Sequence, residues 1–200
     1  MSRLPRSVAL SVLIGATCCG CLAHADSPTK NSDTLRFDMQ WWMAANSDEQ
    51  QGFIYGYGDC RQPGDKPLVS IVDEQAFVSK TLNSRNSGAP NGVVAAIHLA
   101  WKTMRSQVIP MNAEILSGPH GFLDGEWWGG FTGSWPSGLA DADRGYLEGY
   151  LACASSPVTV QSVSRYQTAI NRYYASGHHD HDKIASVLKP LLKETAAHQN

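Results

Sequence analysis

Ser47-Asp48-Glu49-Gln50-Gln51-Gly52-Phe53-Ile54-Tyr55-Gly56-Tyr57-Gly58-Asp59-Cys60 decides the fold, because the chain restates it as Asp141-Ala142-Asp143-Arg144-Gly145-Tyr146-Leu147-Glu148-Gly149-Tyr150-Leu151-Ala152-Cys153. Asp, Gly, aromatic, branched apolar, Gly-Tyr and Cys fall in the same columns, 93 residues apart. A second echo lies upstream of each copy, Phe37-Asp38-Met39-Gln40-Trp41-Trp42 against Leu123-Asp124-Gly125-Glu126-Trp127-Trp128. Seven more residues separate the second Trp pair from its glycine-bearing stretch. Self-similarity at a fixed spacing marks a duplicated supersecondary unit. The chain is therefore predicted to be all-α, with two tandem three-helix repeats packed face to face into one domain.

A helix over Ser47 to Cys60 has to absorb Gly52, Gly56 and Gly58, each costing about 1 kcal/mol relative to Ala in a helix interior. The spacing supplies the reason. Gly52, Gly56 and Cys60 stand at i, i+4 and i+8, as do Gly145, Gly149 and Cys153, so each set shares one helix face. That face lacks side chains and lets another backbone approach. The two glycine-bearing helices are expected to pack on each other through it, or each on a later helix of its own repeat. Ser47 with Gln50 three residues on has the capping-box form.

Working outward, Ile71 to Leu82, Gly92 to Arg105, Thr159 to Tyr174 and Lys183 to Glu194 carry apolar residues at helical steps. Pro190 falls inside the last of these and is expected to kink it. Asp180 or Asp182 is expected to cap its start. Arg61 to Pro67 and Asn83 to Asn91 read as turn-rich breaks. His98 lies beside a packed helical face and reads as a structural histidine, since no catalytic partner is near it in the sequence.

Met1 to Ala25 has the form of a secretory signal: Arg3 and Arg6, an apolar stretch from Val8 to Leu22, then Ala23-His24-Ala25 as a cleavage site. Cys18, Cys19 and Cys21 lie inside it without the Leu-small-small pattern of lipid attachment. Removing Arg3 and Arg6 while keeping all 18 acidic residues takes the formal charge from −2 to −4. That balance provides no basic footprint for nucleic acid. No later stretch is long and apolar enough to span a membrane. Cys60 and Cys153 would be the two cysteines left after processing, and an even pair in an oxidising compartment is expected to be a disulfide. The resulting division is signal 1–25, helical repeat 26–105, a Gly/Trp-rich connecting segment 106–138, and helical repeat 139–200.

The connecting segment concentrates the candidates for function. Gly118 to Trp135 carries three Trp and two Phe among many glycines, and long irregular loops in compact domains are usually functional or disordered. Phe131 and Trp135 fall in the part that the first copy lacks and are the candidate partner-binding surface, with Trp127 and Trp128 beside them. The structural counter-reading makes Trp127 and Trp128 core residues matching Trp41 and Trp42. Asp124 and Glu126, with His120, are the residues a glycan or peptidoglycan hydrolase would use. Asp38 and Gln40 in their columns favour a structural role instead. His178, His179 and His181, with Asp180 and Asp182, carry the ligand chemistry of a transition-metal site, although adjacent loop residues seldom converge on one ion. No catalytic set and no cofactor motif is predicted.

Gly145-Tyr146-Leu147-Glu148-Gly149-Tyr150, Val158-Thr159-Val160, Ala169-Ile170-Asn171-Arg172-Tyr173-Tyr174, a His-rich loop and Ile184-Ala185-Ser186-Val187-Leu188 follow in order in the second half. This arrangement resembles the periplasmic helical immunity proteins of the Tai/Rap type, which protect a bacterium from type VI secretion amidase effectors by binding them. The resemblance covers about 55 residues. The duplication and the Gly/Trp insertion depart from it, and no functional residue carries over. It implies a periplasmic, non-enzymatic binding or inhibitor protein whose partner is another envelope protein. The alternatives are the hydrolase and a metal-binding protein.

Overall fold

The computed structural model describes residues 34–61, 69–84, 91–104, 123–129, 139–154 and 157–197. The expected signal, 1–25, lies outside them, as do most of the two turn-rich breaks and most of the Gly/Trp segment. The described residues form α1 (Met39–Ala44), α2 (Ser47–Cys60), α3 (Ile71–Leu82), α4 (Val93–Met104), α5 (Gly125–Gly129), α6 (Leu139–Ala154), α7 (Val160–Tyr174) and α8 (Ile184–Ala197). Thr34 with Thr159 and Asp124 with Lys183 form isolated β-bridges, and no strand occurs among the described residues. The fold is all-α. Beyond the helices expected from apolar periodicity, the short helices α1 and α5 carry the two Trp pairs.

α2 and α6 cross at the centre, glycine face to glycine face. Gly52 lies against the carbonyl of Ala142 and Gly56 against that of Tyr146; reciprocally, Gly145 lies against the carbonyl of Glu49 and Gly149 against that of Phe53. A Cβ at any of the four would fall on backbone atoms of the opposite helix. Backbones this close exclude every residue but glycine at the four positions, which is why both helices tolerate poor helix formers. At the far end of the crossing, Cys60 and Cys153 form a disulfide with Cα atoms 6.0 Å apart.

The faces of α2 and α6 turned away from the crossing each seed a core. Phe53, Ile54 and Tyr57 pack with Trp42, Val78, Ile97 and Trp101. Tyr146, Leu147 and Leu151 pack with Trp128, Ile170, Ile184 and Leu188. Trp42, Phe53, Ile54, Tyr146 and Leu147 are completely buried. Full burial of such side chains contributes roughly 1.5–3 kcal/mol each.

The local caps explain where the helices start. Asp38 accepts from the Trp41 backbone N–H at 3.0 Å and begins α1. Asn46, rather than the expected Ser47, caps α2, its side chain accepting from Glu49 N at 2.9 Å. Gln50 is thereby free to reach back to the carbonyls of Trp42 and Ala45. Thr159 and Ser162 form a reciprocal capping box at α7. Gly177, at φ 69°, turns the chain out of α7 in a conformation that favours glycine. Pro190 lies within α8, where it supplies no backbone N–H.

Candidate functional site

Of the residues singled out in the sequence, Asp124, Glu126, Trp127, Trp128, His179 and His181 lie at α5 or on the α7–α8 loop, which are joined by backbone hydrogen bonds. Asp124 begins α5: its Oδ1 accepts from the backbone N–H groups of Glu126 at 3.1 Å and Trp127 at 3.2 Å. Glu126 N also donates to the carbonyl of Asp180 at 3.0 Å, and Ile184 N donates to the carbonyl of Leu123 at 3.0 Å. Leu123 takes φ 62°, a conformation that side-chain-bearing residues rarely adopt. Gly125 fits because a Cβ there would meet the Tyr174 ring and stand 2.9 Å from Asp180 Cα. α5 is thus held by backbone bonds to the loop and by close contact with α7.

Trp128 is buried and its indole N–H donates to Asn171 Oδ1 at 2.6 Å, as the Trp42 indole donates to Ser79 Oγ at 2.9 Å. Trp127 is half-buried, its ring centroid 5.8 Å from that of Tyr146. Phe131, Trp135 and His120 lie outside the described residues. Asp124 has no exposed surface, so in this arrangement it acts as a helix cap and presents nothing to a substrate. Asp124→Ala is expected to cost about 1–2 kcal/mol, the usual loss of a carboxylate cap. Denaturant unfolding checks that value, and no change would remove the capping role.

The loop histidines face different neighbours. His179 Nδ1 lies 2.9 Å from Asp182 Oδ2 and 3.2 Å from Tyr173 Oη, with its ring stacked on that of Tyr173. The Tyr173 hydroxyl donates to Asp182 Oδ2 at 2.7 Å. That bond lowers the carboxyl pKa of Asp182 and raises the phenol pKa of Tyr173. His181 Nδ1 instead stands 3.8 Å from Glu126 Oε1. Tyr173 and His179 both engage Oδ2 of Asp182, which with Asp180 was a candidate cap for α8. Among the described residues no group of three or more His, Cys, Asp or Glu is placed to hold a metal ion.

A charged cluster that the sequence reading did not single out lies between α2 and α6. Arg144 Nε donates to Glu148 Oε1 at 2.9 Å and stands 3.4 Å from Glu49 Oε1. Glu148 has no exposed surface; burial raises its carboxyl pKa, opposed by Arg144 and by a bond from Trp41. Burial also raises Glu49, again opposed by Arg144. Nearby, Asn46 Nδ2 donates to Asp141 Oδ2 at 2.6 Å. Two carboxylates around a guanidinium have the chemistry of an acid/base pair, but the inner one is closed to solvent. The cluster ties α1, α2 and α6 together. The Arg144 to Glu148 spacing of four residues on a helix was its signal in the sequence.

Tyr57 Oη lies 2.7 Å from His98 Nε2, and the His98 ring stacks on Trp101. This arrangement fits the structural reading of His98. No described helix is long and apolar enough to cross a membrane. The Cys60–Cys153 disulfide belongs to the chemistry of an oxidising compartment. Compared with protein families, curated proteins and solved structures, the chain gives no match.

Proposed function

We propose that the chain is a non-enzymatic periplasmic or secreted binding protein, an inhibitor of the Tai/Rap immunity kind, that captures another envelope protein. The link between α5 and α6 would supply the contact. One observation carries this. The link from α1 to α2 is residues 45–46, whereas the link from α5 to α6 is residues 130–138, and it holds Phe131 and Trp135. The longer link is flanked by α5, fixed to the loop and α7, and by α6, fixed at the glycine crossing. Aromatic side chains are the kind that anchor interfaces.

Two tandem repeats are part of the same proposal. Their support is a series of paired bonds: the Asp38 and Asp124 caps, the Trp42 and Trp128 indole donors, and Val93 N to the carbonyl of Phe37 beside Ile184 N to that of Leu123. The reciprocal glycine contacts add to it.

The test is capture of a partner from a periplasmic extract by the full mature chain, repeated with Phe131→Ala and Trp135→Ala. Loss of an anchor worth about 2 kcal/mol is expected to weaken capture about 30-fold. Equal capture by both variants would remove this surface from consideration. Turnover of peptidoglycan by the purified chain would replace the binding proposal with the hydrolase.

A further inference from the structure

Five large apolar side chains stand exposed among the described residues, and two of them, Met39 and Met43, are on α1. They are four residues apart and therefore share one face of the helix. Met39 is 49% exposed and Met43 60%, while Trp42 of the same helix is completely buried in the core. A thioether can be oxidised, so these two positions carry a chemistry that the other exposed apolar residues, Val72, Leu99 and Val160, lack. Cys60 and Cys153 are joined, so among the described residues no free thiol competes with them. Met104, the remaining methionine among the described residues, is 9% exposed and packs in the core with Trp42.

We propose that Met39 and Met43 are a modification site for two-electron oxidants, peroxides and hypohalous acids, which convert both thioethers to sulfoxides while the fold is kept. With hydrogen peroxide, a sulfur lone pair attacks one peroxide oxygen, so an S–O bond forms as the O–O bond breaks. Sulfur loses two electrons and the peroxide gains them. The proton on the transferred oxygen passes to the departing hydroxide, which leaves as water. In a core this change is disruptive, because an apolar side chain becomes polar. On the outer face of α1 the new oxygen meets solvent, and that face changes from apolar to polar. Methionine sulfoxide reductases reverse the change.

Met43 also has a protein partner for the new oxygen. Asn83 Nδ2 donates to its sulfur at 4.0 Å, and Asn83 ends α3. Thioether sulfur is a weak acceptor, whereas sulfoxide oxygen is a strong one. Oxidation at Met43 thus strengthens a contact between α1 and α3.

The experiment treats the folded protein, disulfide intact, with dilute hydrogen peroxide and follows each methionine by peptide mass. Met39 and Met43 are each expected to gain one oxygen at least about fivefold faster than Met104, in line with exposures of 49% and 9% for Met39 and Met104. Helical circular dichroism is expected to stay unchanged when only these two are oxidised. The Asn83 side-chain amide proton resonance is expected to move downfield on oxidation of the wild type and to stay in place in Met43→Leu. Met104 reacting as fast as the α1 pair, or loss of helical signal as the pair reacts, would overturn the site. An Asn83 resonance that does not move, or that moves equally in Met43→Leu, would overturn the strengthened contact with α3.

Discussion

Gly149→Ala is expected to destabilise the protein by about 3 kcal/mol or more, and Gly56→Ala by a similar amount. Helix propensity alone predicts the opposite sign, a gain of about 1 kcal/mol for Ala over Gly. Packing decides the outcome. The added methyl at Gly149 would fall on the carbonyl of Phe53 and stand 2.9 Å from Tyr57 N, and at Gly56 it would meet the carbonyl and Cα of Tyr146. These are backbone atoms, with no side-chain rotamer to swing away, so the helices must separate. Separation disturbs both cores, because Phe53 and Tyr146 belong to opposite ones. Gly129→Ala is the control: a Cβ there meets nothing within 4 Å, and the substitution is expected to be neutral. Urea unfolding of the three variants checks the contrast.

Replacing both Cys60 and Cys153 with Ser is the second large effect. The disulfide closes a loop of 93 residues, and the chain-entropy model gives about 4–5 kcal/mol for such a closure. Helical circular dichroism is expected to persist under native conditions, since the glycine crossing and both cores do not depend on the sulfur link. The midpoint of denaturation should move far down. An unchanged midpoint in non-reducing buffer would mean the link does not constrain the unfolded chain.

The architecture was legible where a constraint leaves a mark on one residue type. Gly52, Gly56, Gly145 and Gly149 at steps of four marked a backbone contact, because nothing else explains glycine there. Cys60 and Cys153 in one column marked its covalent end. The main helix spans followed from apolar periodicity. The cap of α2 was misassigned because Asn46 and Ser47 are both good caps, and only geometry shows that the Asn46 side chain accepts from Glu49 N. α1 and α5 were hidden because helices this short carry no periodicity.

The candidate site was less legible. Asp38 in its column pointed Asp124 to a structural role over a carboxylate pair, but its burial and its bonds to Glu126 N and Trp127 N come from how α5 sits on the loop. The three histidines had the ligand chemistry of a metal site in the sequence, but only the structure shows their separate neighbours, His179 beside Tyr173 and His181 beside Glu126. Arg144 and Glu148 stand four residues apart, a spacing that ordinarily makes an ion pair on a helix surface, so nothing in it marks burial. Only the crossing with α2 buries Glu148 completely.

The crossing itself can be observed directly in an assigned NMR spectrum of the protein with its disulfide intact. Cross-relaxation is expected between a Gly56 α-proton and the Tyr146 α-proton, and between a Gly149 α-proton and the Tyr57 amide proton. Those pairs sit across the contact where each glycine faces the opposite backbone. Both signals together are the predicted result. An assigned spectrum in which neither appears, while contacts within α2 and α6 are present, would contradict the glycine-to-glycine packing.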